Sequence, residues 1–502
     1  MIYRMPKTRT LTLAVLLALS PAFSQTPAQP AEAKLAALRS VSIDHGTITS
    51  VERDPTATRT IIKLTLNPAK GSNILVEVWL PDAEKWNNRF LGLGNGGAAG
   101  KINPAGLSSM SAAGYAVVTT DMGTAPNPDS GIGNPEVWKD FGYRATHLMT
   151  VVGKQLVRAH YGRGPEFSYF SGGSTGGQQA LQEAQRYPED YDGIAGAVAA
   201  HCRTPLHAYF LWNDQILKQC PITPAQDATL IAAANEFMAA REKVPLAAGK
   251  FVSDPRCTKE DIQAVITLAR KKDSTLTDTH AAALTKLFDG PRHAVTGERL
   301  FNGIPLGSSI LAAHGHLYLF QWVFGKDKKV EDINFGADID TYTAKLAPYL
   351  NAVNPDLSAF AARGGKLIMT LGTADSVVPY HASIDYYERV IERAGSLEKA
   401  QSSFQFYVVP GLAHGGGPGI NQPPNLLEAV RTWRESQPST PPTSLLGRHV
   451  EKDKPAATFE MPLYPYPAQT GWDASTKTFK PVEGKHLGVD RIAERFLPAA
   501  AE

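Results

Sequence analysis

The chain is poor in cysteine: its 502 residues include three, Cys202, Cys220 and Cys257. An odd count leaves at least one thiol unpaired, which excludes a fold stapled by a disulfide framework. A Cys202–Cys220 bridge is compatible with an oxidising compartment, but the sequence does not establish it. An excess of either charge is also missing, with 50 Lys plus Arg against 48 Asp plus Glu. That balance draws the chain neither to nucleic acid nor to an anionic membrane surface, and neither is expected as a partner. After residue 24 no apolar run is long enough to cross a bilayer. No internal repeat is found. The set His201, Cys202 and His207 fits no standard zinc spacing, so no metal is expected there.

What is present begins with a removable address. Lys7 and Arg9 precede the apolar run "LTLAVLLALS", and "AFSQ" offers small residues to a signal peptidase. Residues 1–24 therefore read as a signal peptide cleaved near Ser24, and the mature protein is expected to be exported, to a periplasm or outside the cell. Strand-like runs follow: "ILVEVWL", "RFLGLG", "YAVVTTD", "FSYFS" and "GIAGAVA", with the helical patterns "YRATHLMTVVGKQLVRAHYG" and "GGQQALQEAQRY" between the later ones. Such alternation predicts an α/β class with a mainly parallel sheet. From about Pro205 to Leu346 the text becomes helical, then "GGKLIMTLG" and "FQFYVVPG" read as further buried strands around the helix "SIDYYERVIERAG". The expected division is a core of residues 25–204 and 347–502 interrupted by an insertion at 205–346, with an irregular Pro-rich wrap from Ser436 onward.

The stretch "YFSGGSTGGQQAL" carries the strongest chemical signal. Gly172-Gly173-Ser174-Thr175-Gly176 is a G-x-S-x-G pentapeptide between a predicted strand and a predicted helix. That context is the one in which a serine on a sharp turn presents its oxygen at a sheet edge. A serine nucleophile needs a base and an acid that orients the base, in the chain order Ser, Asp, His for this type of turn. Asp375 in "LGTADSVVP" and His414 in "VVPGLAHGGGPG" each follow a predicted strand and keep that order. Donors for a developing oxyanion are expected from the N–H of Thr175 and from the loop "RFLGLGNGGAAG", where Gly97 permits close approach.

In the order and wording of "RFLGLGNGG", "GYAVVTTDMG", "FGYRATH", "YFSGGSTGGQQALQEAQRYPEDYDGI", "GGKLIMTLGTAD", "IDYYERV" and "VVPGLAHGGGPG", the chain resembles the tannase and feruloyl esterase family. The resemblance spans nearly the whole mature chain. It implies an α/β-hydrolase core with a large helical lid and no cofactor. It also implies Ser174 as nucleophile, His414 as general base then acid, and Asp375 as the orienting carboxylate. The family commonly places bonded cysteines just before that serine and just after that histidine; here Gly173 and Gly415 stand there together. The family's aspartate-rich calcium loop has no counterpart in "ANEFMAAREKVPLAAGKFVSDPRC", so no calcium is expected. Tyr464 likewise stands where the family often has cysteine, and Cys257 retains a family cysteine without its partner.

The substrate implied is a small aromatic ester of the ferulate or gallate type, with Trp322, Phe324 and Phe335 as an apolar wall in the lid. A terephthalate-monoester activity, known in the family to rely on a lid arginine, is the alternative. Between Phe301 and Phe360 this chain has no arginine, only Lys326, Lys328 and Lys329 in that role. A non-catalytic binding protein on the same fold is the rival class.

Overall fold

The computed structural model describes residues 31–54, 56–242, 257–451, 458–473, 475–482, 484, 491–493 and 496. The expected signal peptide lies outside the described residues, as does 243–256, most of the segment in which no calcium loop is expected.

One nine-stranded sheet organises the molecule. Its strands are β1 (Gly46–Asp54), β2 (Arg59–Leu66), β3 (Ile74–Pro81), β4 (Arg89–Leu93), β5 (Ala116–Thr120), β6 (Phe167–Gly173), β7 (Gly193–Ala197), β8 (Lys366–Gly372) and β9 (Phe404–Val409). Their spatial order is β1-β2-β3-β5-β4-β6-β7-β8-β9. The first three strands and the β3–β5 pair are antiparallel, and every pairing from β5 through β9 is parallel. This is the α/β-hydrolase fold, and its sheet has two covered faces.

The two faces are legible in alternate side chains, because successive strand residues point to opposite sides. Phe90, Val118, Phe170 and Ile194 join the core beneath the helices Ala145–Tyr161 and Thr175–Arg186. Their neighbours Leu91, Val117, Tyr169 and Ala195 join a second core beneath the helices Pro104–Ala112 and Leu426–Glu435. Burial on both faces explains why these central strands are nearly continuous apolar runs.

After β7 the chain leaves the sheet and returns at β8. The intervening segment holds the helices Arg203–Gln219, Pro224–Glu242, Lys259–Lys272, Asp278–Asp289, Tyr318–Phe324 and Ala337–Leu350. Thr258 and Thr277 start two of them through reciprocal capping boxes. Phe210, Leu284, Phe320 and Leu346 of this segment belong to the same continuous core as Phe170 and Leu181, so the helices are seated on the sheet's own hydrophobic layer.

Two expectations change. The C-terminal stretch is not irregular throughout: Leu445–His449 pairs with Phe459–Leu463, and Gln469–Asp473 with Thr478–Val482, as two antiparallel hairpins. Alternating burial of Leu445, Gly447 and His449 against exposed Leu446 and Arg448 supplies the strand period that the prolines obscure. A Cys202–Cys220 bridge is also excluded, because the two residues flank opposite ends of the helix Arg203–Gln219, about 25 Å apart at 1.5 Å per residue. All three cysteines are free thiols, and burial pushes the Cys257 thiol up to about 11.

Candidate active site

Ser174 sits between β6 and the helix Thr175–Arg186 with φ 59° and ψ −116°. A non-glycine residue in that region is strained by roughly 1–3 kcal/mol, and strain of this kind persists where the surroundings over-determine it. They do so here: the Ser174 N–H donates to the Ala197 carbonyl at 2.9 Å, and the Ser174 carbonyl accepts from Gly177, Gln178 and Ala200.

The flanking glycines are required by space. A Cβ on Gly172 would stand 2.6 Å from the Gly176 carbonyl oxygen, and one on Gly94 would stand 2.6 Å from the Gly176 Cα. Gly173 differs, since its nearest neighbour would be the Ala197 oxygen at an ordinary 3.5 Å. Gly172→Ala is therefore expected to lower stability by roughly 1–3 kcal/mol through overpacking, while Gly173→Ala is neutral or slightly stabilising. Denaturant midpoints of the two variants measured side by side check this; equal midpoints would contradict the packing argument.

Beside Ser174, two backbone donors have no acceptor among the described residues: the N–H of Thr175, first in its helix, and the N–H of Gly97, at φ 57°. Asn95 is not available for that purpose, because its N–H donates to Gln179 Oε1 at 2.8 Å. The Thr175 hydroxyl donates to the Gly97 carbonyl at 2.6 Å, tying the helix start to the glycine loop.

Asp375 follows β8 and His414 follows β9, and the parallel pairing of those strands brings the two loops together. The Nδ1 of His414 lies 2.9 Å from Oδ2 of Asp375, whose side chain is fully buried. The other carboxylate oxygen accepts the N–H groups of Val377 at 2.9 Å and Val378 at 2.8 Å. With Nδ1–H donating to the carboxylate, Nε2 of His414 keeps a free lone pair.

A small cavity opens at Ser174 and is lined also by Gly97, Thr175, Val377 and Val378. One turn-spaced face of the helix Arg203–Gln219 closes it with Arg203, Leu206, His207 and Phe210, and His316 and Tyr318 complete the wall. Burial, and then the charge of Arg203, holds His207 well below the usual histidine range and also lowers His316. His207 Nδ1 faces the His316 carbonyl at 3.0 Å, so that nitrogen carries the proton and Nε2 is an acceptor. The wall is thus made of aromatic and neutral imidazole rings with one guanidinium.

The sequence of the chain matches the model of tannase and feruloyl esterase over residues 59–336 and 332–481. The chain belongs to the tannase and feruloyl esterase family. It is a carboxylic ester hydrolase acting on a small-molecule ester. An esterase of Xanthomonas campestris pv. campestris, itself uncharacterized, is 30% identical over 81% of this chain and 80% of its own length. Feruloyl esterase B of Aspergillus niger is 32% identical over 72% of this chain and 71% of its own. Among solved structures, feruloyl esterase B from Aspergillus oryzae superposes with a TM-score of 0.74 at 22% identity, covering 89% of this chain and all of that one. Tannin acyl hydrolase from Aspergillus niger gives 0.72 at 19% identity, over 91% of this chain and 95% of that one. At these identities the structural likeness shows the fold alone.

The aromatic residues expected to meet substrate lie away from the cavity. Trp322 is 1% exposed, donates its indole N–H to the Pro128 carbonyl, and packs edge-on to Phe141. Phe335 packs on Trp212, and Phe324 stacks on Phe320. None of the three lines the Ser174 cavity, whose aromatic wall is Phe210 and Tyr318. Lys326 and Lys328 are engaged with Asp129 and Asp338. The cation of the cavity is Arg203, which lies outside the stretch in which an arginine is sought from sequence. Its signal is the spacing of Arg203, Leu206, His207 and Phe210, which puts the four on one face of that helix.

One cluster of ligand-type side chains lies away from Ser174, at the far end of its helix. His147, Glu183 and Asp190 bring their ligand atoms within 4.8 Å of one another. Burial, reinforced by the neighbouring Asp190, raises the Glu183 carboxyl well above its ordinary value. His201, Cys202 and His207 form no such cluster among the described residues: His201 Nδ1 faces the Ala199 carbonyl, and His207 faces the cavity.

Proposed function

We propose that this enzyme hydrolyses esters of aromatic, phenolic-type acids through an acyl-enzyme on Ser174. The observation that carries this reading is the convergence, on one small cavity, of a strained serine, two unfilled backbone donors and a wall of rings. His414 Nε2 takes the Ser174 proton as Oγ attacks the ester carbonyl, and the N–H groups of Thr175 and Gly97 receive the oxyanion. His414 then protonates the departing alcohol, and water activated by the same imidazole releases the acid. Asp375 holds the tautomer that makes both transfers possible.

The rings of Phe210 and Tyr318 in the cavity wall favour an aromatic acyl group over an aliphatic one. The His207 acceptor and the Tyr318 hydroxyl give that ring polar partners, which favours a phenolic acyl group over a plain aryl one. The basic, apolar and small-residue order of residues 1–24 supports export of the mature enzyme.

The test is acid release from methyl ferulate, methyl gallate and p-nitrophenyl acetate. Turnover of an aromatic methyl ester is expected, with kcat/KM above that for the deoxygenated methyl cinnamate by about tenfold or more. Turnover of p-nitrophenyl acetate alone would retain the esterase and remove the phenolic substrate; no turnover of any would remove the reading.

A further inference from the structure

Arg203 is 3% exposed, and its hydrogen bonds among the described residues go to hydroxyl and carbonyl oxygens, with no carboxylate among them. Burying a guanidinium without a counter-charge is costly, so its contacts must be specific to be worth keeping. Three of its hydrogen bonds are made, and all three lead to the cavity wall. Nη1 donates to the Thr175 hydroxyl at 3.0 Å, and Nη2 donates to the Gly97 carbonyl at 3.1 Å and to the Tyr318 hydroxyl at 2.8 Å. Nε is buried without an acceptor, and the guanidinium lies 5.2 Å from the Phe141 ring centroid.

Gly97 has little else to hold it. Nothing stands within 4 Å of where its Cβ would be, and its φ of 57° belongs to the conformation glycine visits freely. Its carbonyl accepts from both the Thr175 hydroxyl and Arg203, and that hydroxyl itself accepts from Arg203. The three residues close a ring of hydrogen bonds that runs through both residues carrying the unfilled N–H groups.

We propose that Arg203 is a positioning residue for the oxyanion site, fixing the Gly97 loop against the start of the Thr175 helix so that both N–H groups point at one position. This rests on the acyl-enzyme reading of Ser174. A donor misplaced by about 1 Å costs on the order of a hundredfold in rate, and such a loss falls on the transition state, leaving ground-state binding largely intact.

The experiment compares Arg203→Met, Arg203→Lys and Thr175→Val with wild type, each normalised by active-site titration with a p-nitrophenyl phosphonate. Arg203→Met is expected to lower kcat per titrated site about a hundredfold with KM within about threefold. The inhibition constant of phenylboronic acid, which becomes tetrahedral on the serine, should rise in parallel, while that of benzoate should not. Thr175→Val should fall similarly, and the double variant should lose little more than the worse single one, because both break the same ring. Arg203→Lys should recover part of the loss by restoring one donor.

A folded Arg203→Met with kcat within about threefold of wild type would overturn the proposal, as would a raised KM with unchanged kcat, which would make Arg203 a holder of substrate. If Arg203→Met does not fold, Arg203→Lys and Thr175→Val are read by the same criteria. Failure of the acyl-enzyme reading is seen separately, as undiminished turnover by a variant lacking Ser174 on an intact Arg203.

Discussion

Ser174→Ala is expected to reduce kcat by a factor on the order of 10⁴ or more while leaving the fold intact, because the proposed acyl-enzyme route ends when its attacking oxygen is removed. The residual rate reflects whatever the Thr175 and Gly97 donors offer to attack by water. Stability separates two versions of the experiment. Alanine retains a Cβ at φ 59° and ψ −116°, so the strain stays and the unfolding midpoint should match wild type. Ser174→Gly should be equally inactive but more stable by about 1 kcal/mol, because glycine enters that region without the Cβ clash. An inactive Gly variant with a raised midpoint would show that the turn stores strain for the sake of placing Oγ. A Ser174→Ala variant with near wild-type turnover would remove Ser174 from the mechanism, and with it the acyl-enzyme.

The legibility of this site in the sequence follows the distance over which each part is encoded. The turn at Ser174 is local: strand, small residues, serine, small residues and helix are contiguous, and the close approach of Gly172 to Gly176 explains why no larger residue stands there. Asp375 and His414 are separated by 39 positions, yet each lies in the loop after one of two adjacent parallel strands, so the rule that loops at the same sheet edge meet places them together. Gly97 is legible for the same reason, since β4 is the immediate neighbour of β6.

The cavity wall obeys no comparable rule. Its aromatic and cationic members come from the first turns of the helix Arg203–Gln219 and from the start of the helix Tyr318–Phe324, two places whose meeting depends on how helices pack over the sheet. Trp322, Phe324 and Phe335 carry the same ring chemistry in the sequence, but helix spacing does not say which side of a helix faces a cavity and which faces a core. In the fold, Trp322 fills a space against Gly131 so close that a Cβ there would lie 2.1 Å from the indole. Strands β1 and β2 escape a sequence reading for a related reason: "GTITSVERD" has one side chain fully buried, and its stability comes from pairing with β2, which in turn packs through Ile62, Leu64 and Leu66.

Asp375→Asn is the second substitution expected to have a very large effect, and the geometry says why an isosteric amide should fail. The carboxylate oxygen Oδ1 accepts two backbone N–H groups, from Val377 and Val378. An amide nitrogen placed there would set donor against donors twice, so the new side chain must direct its oxygen to those N–H groups and its NH₂ toward His414. The imidazole can then only accept at Nδ1, which moves its proton to Nε2, the nitrogen that takes the proton of Ser174 in the proposed mechanism. Folding should be little changed, because every hydrogen bond at the site has a partner of the same shape. The rate at neutral pH should fall by about 10⁴, the loss that comes from holding a catalytic histidine in the wrong tautomer. Kinetics on a good aromatic ester, with circular dichroism and melting of the same samples, check both halves. A variant that kept more than about a tenth of the wild-type rate would mean that Asp375 does not set the histidine tautomer. A variant that lost activity only by unfolding would mean that its two backbone contacts matter more than its contact with His414.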